Sequence, residues 1–193
     1  MVLYPFAQEE AGGYSVVGFD ETARLPLGEL YVTGPDGTVP DGFSGCIFDA
    51  SGLCEDPRRL RPAGTGGGAP EYISTRVVQG SVQQAMMRAL RPGRALLLRC
   101  EPLCEQFFLP CPSAAGRILT QEQSRLLQER FPVHASERLL CRYCYGLSDG
   151  RAFLHLFDTP QTLRQKLALA RSLGVWGAFG CFPADAKKTD GAD

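Results

Sequence analysis

Apolar residues recur along the chain from Tyr72 onward in two alternating spacings. Continuous or β-branched apolar runs predict strands, whereas apolar residues three or four positions apart predict helices. The predicted order is strand, helix, strand, helix, strand, strand, helix, strand, over residues 72–78, 81–91, 94–101, 120–131, 137–145, 151–158, 159–174 and 175–182. Because parallel neighbouring strands need crossover helices, this order predicts an α/β fold with a mainly parallel sheet, either open or curved into a barrel.

The ends of these elements carry local signals. Ser81 with Gln84, and Thr120 with Gln123, have the spacing of a helix capping box. The sequence GLSDG at residues 146–150 lies between two apolar runs and predicts one β-hairpin.

The last helix is marked at both ends. Thr159 is placed as its N-cap, Pro160 as its first residue and Gly174 as its stop. These signals predict a helix over 159–174 that connects two strands.

The rest of the chain is less regular. Short strands are predicted at 14–19, 29–33 and 43–49, with a turn at 34–37. Residues 55–71 are rich in Pro, Gly and Arg and predict a long flexible surface loop, with its arginines on a solvated face. The polar residues 184–193 predict a disordered tail.

Length and charge narrow the class of protein. A chain of 193 residues predicts one domain, over residues 1–183. Its formal net charge of -1 gives no field that would attract nucleic acid or an anionic membrane, so a small or neutral ligand or another protein is the expected partner. The N-terminus has neither a signal peptide nor an apolar anchor, which predicts a cytoplasmic protein.

Most of the eight cysteines lie inside apolar runs, which predicts reduced thiols packed in the core. Cys104, Cys111 and His134 lie in less regular sequence and leave a zinc site open as an alternative. Cys141 and Cys144 fall three residues apart within one predicted strand, so their side chains are expected on opposite faces and cannot bind one metal together. No metal and no cofactor is assigned.

Three apolar runs end on a carboxylate: Asp49, Glu101 and Asp158. Since chemistry in βα folds gathers at the carboxyl ends of strands, these acids are the candidate catalytic residues. Glu101 follows the most apolar strand and is the best placed to act as a proton donor. Strand alternation, however, puts Arg99 on the same face, where it would keep Glu101 ionised.

Residues 141–183 resemble the end of the barrel in family 18 glycoside hydrolases, especially the bacterial spore-germination and peptidoglycan-related branch. In that family a strand and an acidic turn lead into a helix of the form S-L-x-x-K-x-x-L-A. The matching positions in this chain are Thr162, Leu163, Lys166, Leu169, Ala170 and Gly174. The resemblance implies a shortened or partial TIM-like (βα) barrel.

The resemblance also places residues 43–51 on the family's catalytic strand, D-G-x-x-x-D-x-D-x-E. Gly45 and Asp49 fit this pattern, but Ser44 stands at its first acid and no glutamate stands at its end. The family's mechanism uses that glutamate as the general acid. Asp158 also lies one residue too early relative to Lys166.

These observations leave three hypotheses in order. The first, implied by the resemblance, is a degenerate, non-catalytic glycoside-hydrolase-like domain with a carbohydrate (glycan) or a protein as its partner. The second is an active glycan hydrolase that uses Glu101 with Asp49 or Asp158. The third is a small zinc-binding module.

Overall fold

The computed structural model describes residues 12–14, 17–18, 30–32, 37–39, 41–42, 46–49, 53–65, 71–111 and 115–180. The predicted tail at 184–193, most of the predicted turn at 34–37, and Ser44 and Gly45 lie outside these residues. In the described part of the chain, no helix has the length and apolar character needed to cross a bilayer.

One five-stranded sheet is mainly parallel. Its order is β2-β13-β7-β6-β5, and only β2 runs antiparallel to its neighbour. The strands are β2 (Val17–Gly18), β5 (Arg61–Pro62), β6 (Glu71–Ser74), β7 (Leu96–Cys100) and β13 (Gly177–Gly180).

Helices α1 (Val82–Ala89) and α3 (Pro160–Ser172) cover one face of this sheet. Alternate residues of β7 point towards the helices, and Leu96, Leu98 and Cys100 pack there against Met86 and Ala170. This cluster is the main core. Helix α1 connects the parallel neighbours β6 and β7, as the sequence pattern predicts. The prediction that α3 also connects two strands of one parallel sheet is wrong, because the strand over 151–157 that precedes it lies outside this sheet.

The second five-stranded sheet is antiparallel and is inserted between β7 and α3. Its order is β10-β11-β12-β8-β9, and α2 (Gln121–Arg130) packs on it. The strands are β8 (Cys104–Phe108), β9 (Arg117–Ile118), β10 (His134–Ser136), β11 (Cys141–Ser148) and β12 (Arg151–Phe157). The predicted hairpin is β11 and β12, joined by Asp149 and Gly150, both of which have positive φ.

This insertion corrects the prediction of one mainly parallel sheet. Residues 104–108 form a strand that the helix-strand alternation did not predict, and it pairs antiparallel with β12. Because the hairpin gains β8 on one side and β10 on the other, it becomes the centre of a separate sheet.

Three further strands form a small sheet in the order β1-β3-β4: β1 (Gly12–Tyr14), β3 (Leu30–Val32) and β4 (Cys46–Phe48). Ile47 of β4 forms a parallel bridge with Arg59, two residues before β5. The sequence predicted a loop over 55–71. That prediction is wrong at Arg59, which forms the bridge to Ile47, and at β5, which pairs with β6.

Contacts across the parallel sheet reveal its curvature. From β4 to β13 there are four strand-to-strand steps, which would span about 19 Å in a flat sheet. The ring centroids of Phe48 on β4 and Phe179 on β13 nevertheless lie 5.3 Å apart. The sheet therefore curves strongly, with these rings on its inner face.

Replacement of Leu98 by alanine tests the assignment of the core. Its side chain is fully buried between sheet and helices, so Leu98→Ala is expected to lower the free energy of unfolding by ~2–5 kcal/mol in urea titrations. Met87 on α1 is 55% exposed, and Met87→Ala is the matched control, with an expected change within ~0.5 kcal/mol. Equal losses in the two variants would contradict the assignment.

Candidate functional site

The inner face of the curved sheet carries a cluster of aromatic rings and one guanidinium. Phe48, Tyr72 and Phe179 meet with centroid separations of 5.3 to 6.1 Å. The guanidinium of Arg99 lies 4.3 Å from the centroid of the Phe48 ring, within the range of a cation–π contact. We call these four residues the inner cluster. They come from four different strands, so the fold alone brings them together.

Glu101 lies directly after β7, beside the inner cluster. One carboxylate oxygen is 3.0 Å from the guanidinium of Arg99, and the other accepts a hydrogen bond from the hydroxyl of Ser74. The side chains of Arg99 and Glu101 are 17% and 21% exposed. Strand alternation predicted this ion pair, because residues two apart on a strand share a face.

Asp49 follows β4 and its side chain is fully buried. Its Oδ2 accepts hydrogen bonds from the backbone N–H of Cys54 at 2.9 Å and from Arg59 at 3.3 Å. Arg59 also donates to the carbonyl of Cys54. Asp49 therefore closes the segment between β4 and β5, and Arg59 belongs to this contact instead of the predicted solvated face.

The hydroxyl of Tyr72 is influenced by charges from two ion pairs, Arg99–Glu101 and Arg59–Asp49. Burial raises the pKa of the Tyr72 hydroxyl, the charge of Glu101 raises it further, and Arg99 and Arg59 lower it. All three charged groups are therefore close enough to act on this hydroxyl. The hydroxyl of Tyr72 and the ion pair of Arg99 and Glu101 thus form a polar rim beside the inner cluster.

Asp158 occupies a different environment, at the junction of the two sheets and α3. Both of its oxygens lie 2.8 Å from the ammonium of Lys166, and both side chains are fully buried. The carboxylate also accepts hydrogen bonds from the backbone of Leu103 and from the hydroxyl of Thr162. This acid is a structural connector.

Thr75, just after β6, joins this junction to the rim. Its carbonyl accepts a hydrogen bond from Lys166. Its hydroxyl bonds to both the N–H and the carbonyl of Glu101. Glu101 and the Asp158–Lys166 pair are therefore separated by a single residue that contacts both.

The three acids predicted from the sequence share one property: each forms an ion pair with an arginine or a lysine side chain. The carboxylate oxygens of all three acids accept hydrogen bonds or ion-pair contacts from these cations and from neighbouring groups. The arrangement is well suited to fixing strand ends and to presenting polar groups around aromatic rings. It is poorly suited to general acid catalysis.

The roles of three residues in this region were not predicted from the sequence. Arg59 lay in a segment interpreted as loop, and Tyr72 was assigned only to a strand. Lys166 was noted for the family resemblance, although its position between Leu163 and Ala170 on the apolar stripe of α3 is a signal of a buried lysine. A buried lysine requires a buried anion, and Asp158 is the nearest strand-ending acid before it.

The cysteines are distributed through the interior. Cys46, Cys54, Cys100, Cys141 and Cys144 are buried, and these five cysteines form no disulfide. Cys141 packs against Leu103 and Leu156, while Cys144 lies on the opposite face of the unbroken strand β11, as alternation predicts. Among the described residues, no group of three or more His, Cys, Asp and Glu side chains is arranged to hold a metal ion.

Comparison with known proteins gives only distant similarities. No family model matches the chain. No curated protein matches it either. Among solved structures, YdhD of Bacillus subtilis, a proposed sporulation-specific glycosylase, aligns with a TM-score of 0.45 and 11% identity over 57% of this chain and 43% of that one.

The spore cortex-lytic enzyme SleL also aligns, from two organisms. The Bacillus cereus enzyme has a TM-score of 0.42 and 12% identity, over 53% of this chain and 26% of its own. The Bacillus megaterium enzyme has a TM-score of 0.39 and 13% identity, over 52% of this chain and 25% of its own. The chain therefore spans less than half the length of each of these three proteins.

Removal of one partner of the buried ion pair tests its role. Lys166→Met leaves the charge of Asp158 buried without its cation and is expected to lower the free energy of unfolding by ~3–5 kcal/mol. The double variant Lys166→Met/Asp158→Asn removes both charges and is expected to recover much of this loss in urea unfolding.

The matched control is Arg125→Ala, which breaks ion pairs on the exposed face of α2. Its unfolding midpoint is expected to stay near that of the unmodified protein. Strictly additive losses at Lys166 and Asp158 would show that the two side chains do not interact.

Proposed function

We propose that this chain is a non-catalytic domain of the glycoside-hydrolase type that binds a glycan at the rim above the inner cluster. The observation that carries the proposal is that the three acids Asp49, Glu101 and Asp158, each at the end of a described strand, are each paired with an arginine or a lysine. Binding needs only a fixed arrangement of polar groups and rings, whereas hydrolysis needs a carboxylic acid that can release a proton.

We also propose that the curved parallel sheet and the small sheet β1-β3-β4 together close into a barrel. The pairings run from β3 through β4 and Arg59 to β5, β6, β7, β13 and β2, while β1 pairs with β3. Only two residues separate β1 from β2. We infer that β1 and β2 continue one another and complete a small closed barrel, which makes the inner cluster the filling of its interior.

Two features support a glycan as the ligand. Partly exposed donors and acceptors at Tyr72, Arg99 and Glu101 stand beside aromatic rings, a combination typical of sites for small polar ligands. The motif over residues 141–183 resembles family 18 glycoside hydrolases, which act on N-acetylhexosamine polymers. The expected ligand is therefore a glycan of this chemistry.

Binding and hydrolysis are to be measured on the same protein with soluble N-acetylglucosamine oligomers and with peptidoglycan fragments. Calorimetry is expected to detect binding, and product analysis is expected to detect no cleavage. Tyr72→Phe keeps the ring and removes the hydroxyl, and it is expected to weaken binding by about fivefold to tenfold, the usual effect of one hydrogen bond.

Arg125→Ala, on the exposed face of α2, is the control and is expected to bind like the unmodified chain. Cleavage that disappears in Glu101→Gln would overturn the non-catalytic assignment. Absence of binding to every oligomer and fragment would overturn the glycan assignment.

A further inference from the structure

The antiparallel sheet has one face covered by α2 and a second face that is only partly covered. Strand alternation puts Tyr143, Tyr145 and Leu147 of β11 on the second face, with Leu154 of β12 beside Tyr145 in register. Tyr145 is 58% exposed and Leu147 is 67% exposed. Single exposed apolar side chains are ordinary, whereas neighbouring ones on one strand face indicate a contact surface.

His134 on the adjacent strand β10 completes a group of three rings on this face. Its ring centroid lies 5.2 Å from that of Tyr143 and 5.5 Å from that of Tyr145. The two tyrosine rings are 6.4 Å apart, and the ring of Tyr145 is inclined by 23° to each of the other two. We call His134, Tyr143 and Tyr145 the ring stack.

The ring stack is held in place before any ligand arrives. Tyr143 packs against the buried cluster that contains Leu103, Cys141 and Leu156. Each ring also restricts the rotamers of its neighbours, and a tyrosine has only two side-chain torsions to fix. Binding at this surface therefore loses little side-chain entropy.

The charges on this face favour a neutral ligand. Among the described strand residues of the face, Glu105 is the one Asp, Glu, Lys or Arg side chain, and it is paired with Arg76. Strand alternation puts Arg142 and Arg151 on the opposite face, where Arg151 lies over the ring of Phe108. Since single-stranded nucleic acid binds to aromatic rings that are accompanied by cations, this surface does not match it.

The size of the surface favours a small ligand over a second copy of the chain. From Tyr143 to Leu147 the strand advances by ~13 Å, and the two strands β10 and β11 are together ~10 Å wide. The resulting footprint of ~130 Å² is far below the ~800 Å² per partner that a stable protein interface needs. The footprint is instead that of a short run of sugar rings.

A pyranose ring has the two properties that the ring stack can recognise. One face of the sugar presents C–H groups, which pack on an aromatic ring, and its hydroxyl and acetamido groups project from the edge. The hydroxyls of Tyr143 and Tyr145 and the nitrogens of His134 lie at the edges of their rings, where they can donate or accept hydrogen bonds.

We propose that the ring stack is a second glycan-binding site of this chain, in which a neutral pyranose such as N-acetylglucosamine packs on Tyr145. This site rests on the proposed glycan binding, but not on the location of that binding at the rim. The rim is built from β6 and β7 of the parallel sheet, whereas the ring stack is built from β10 and β11 of the antiparallel sheet.

Proton NMR of the histidine rings on the full chain tests the proposal. The chain has two histidines. His134 belongs to the ring stack, and the fully buried His155 on the opposite face is the internal reference. At constant pH, titration with the N-acetylglucosamine trimer is expected to shift the ring signals of His134 until they saturate and to leave those of His155 in place. His134→Gln assigns the signals.

Tyr145→Ala removes the exposed ring and is expected to raise the dissociation constant measured at His134 by about fivefold or more. The matched control is Leu126→Ala, an equally exposed apolar side chain on α2, which is expected to titrate like the unmodified chain. A shift of His134 that persists unchanged in Tyr145→Ala would overturn the proposal.

Two further outcomes separate this site from the rim. Calorimetric binding that Tyr72→Phe weakens, with the His134 signals unmoved, would overturn the second site and leave the proposed function standing. Absence of trimer binding in both measurements would overturn both. A saturable shift of His134 with a proline-rich peptide and not with the trimer would assign the ring stack to a protein ligand and also overturn the proposal.

Discussion

Asp158 and Lys166 form the contact that holds the parallel sheet, the antiparallel sheet and α3 in one arrangement. Asp158 ends β12, Lys166 projects from α3, and the ammonium also bonds to the carbonyl of Thr75 after β6. Two fully buried charges are costly unless each finds its partner. Alternative packings would leave one of them alone, so the pair enforces this particular junction.

The junction and the rim form one connected system. Thr75 accepts from Lys166 and binds the backbone of Glu101, and Glu101 pairs with Arg99 above the inner cluster. Curvature of the sheet brings Phe48 and Phe179 into contact beneath that rim. The acids at the strand ends therefore serve the architecture first, and the polar rim beside the inner cluster is the surface that we propose for a ligand.

Local signals in the sequence predicted local structure well. Thr120 and Thr159 cap α2 and α3 as expected, and alternation correctly paired Arg99 with Glu101. The capping box predicted for Ser81 and Gln84 is wrong, because Ser81 precedes α1 without a side-chain capping hydrogen bond. The antiparallel sheet was missed because its identity depends on which strands pair, and pairing between distant segments leaves little trace in the sequence. Arg59 was missed for the same reason, since its strand character comes from a bridge to Ile47.

A crystal structure of the chain with a bound N-acetylglucosamine oligomer tests the central claim most directly. We expect a sugar against the rim beside Tyr72, with the Arg99–Glu101 ion pair intact. A complex in which Glu101 has left Arg99 and lies within hydrogen-bond distance of a glycosidic oxygen, about 2.6–3.2 Å, would contradict it.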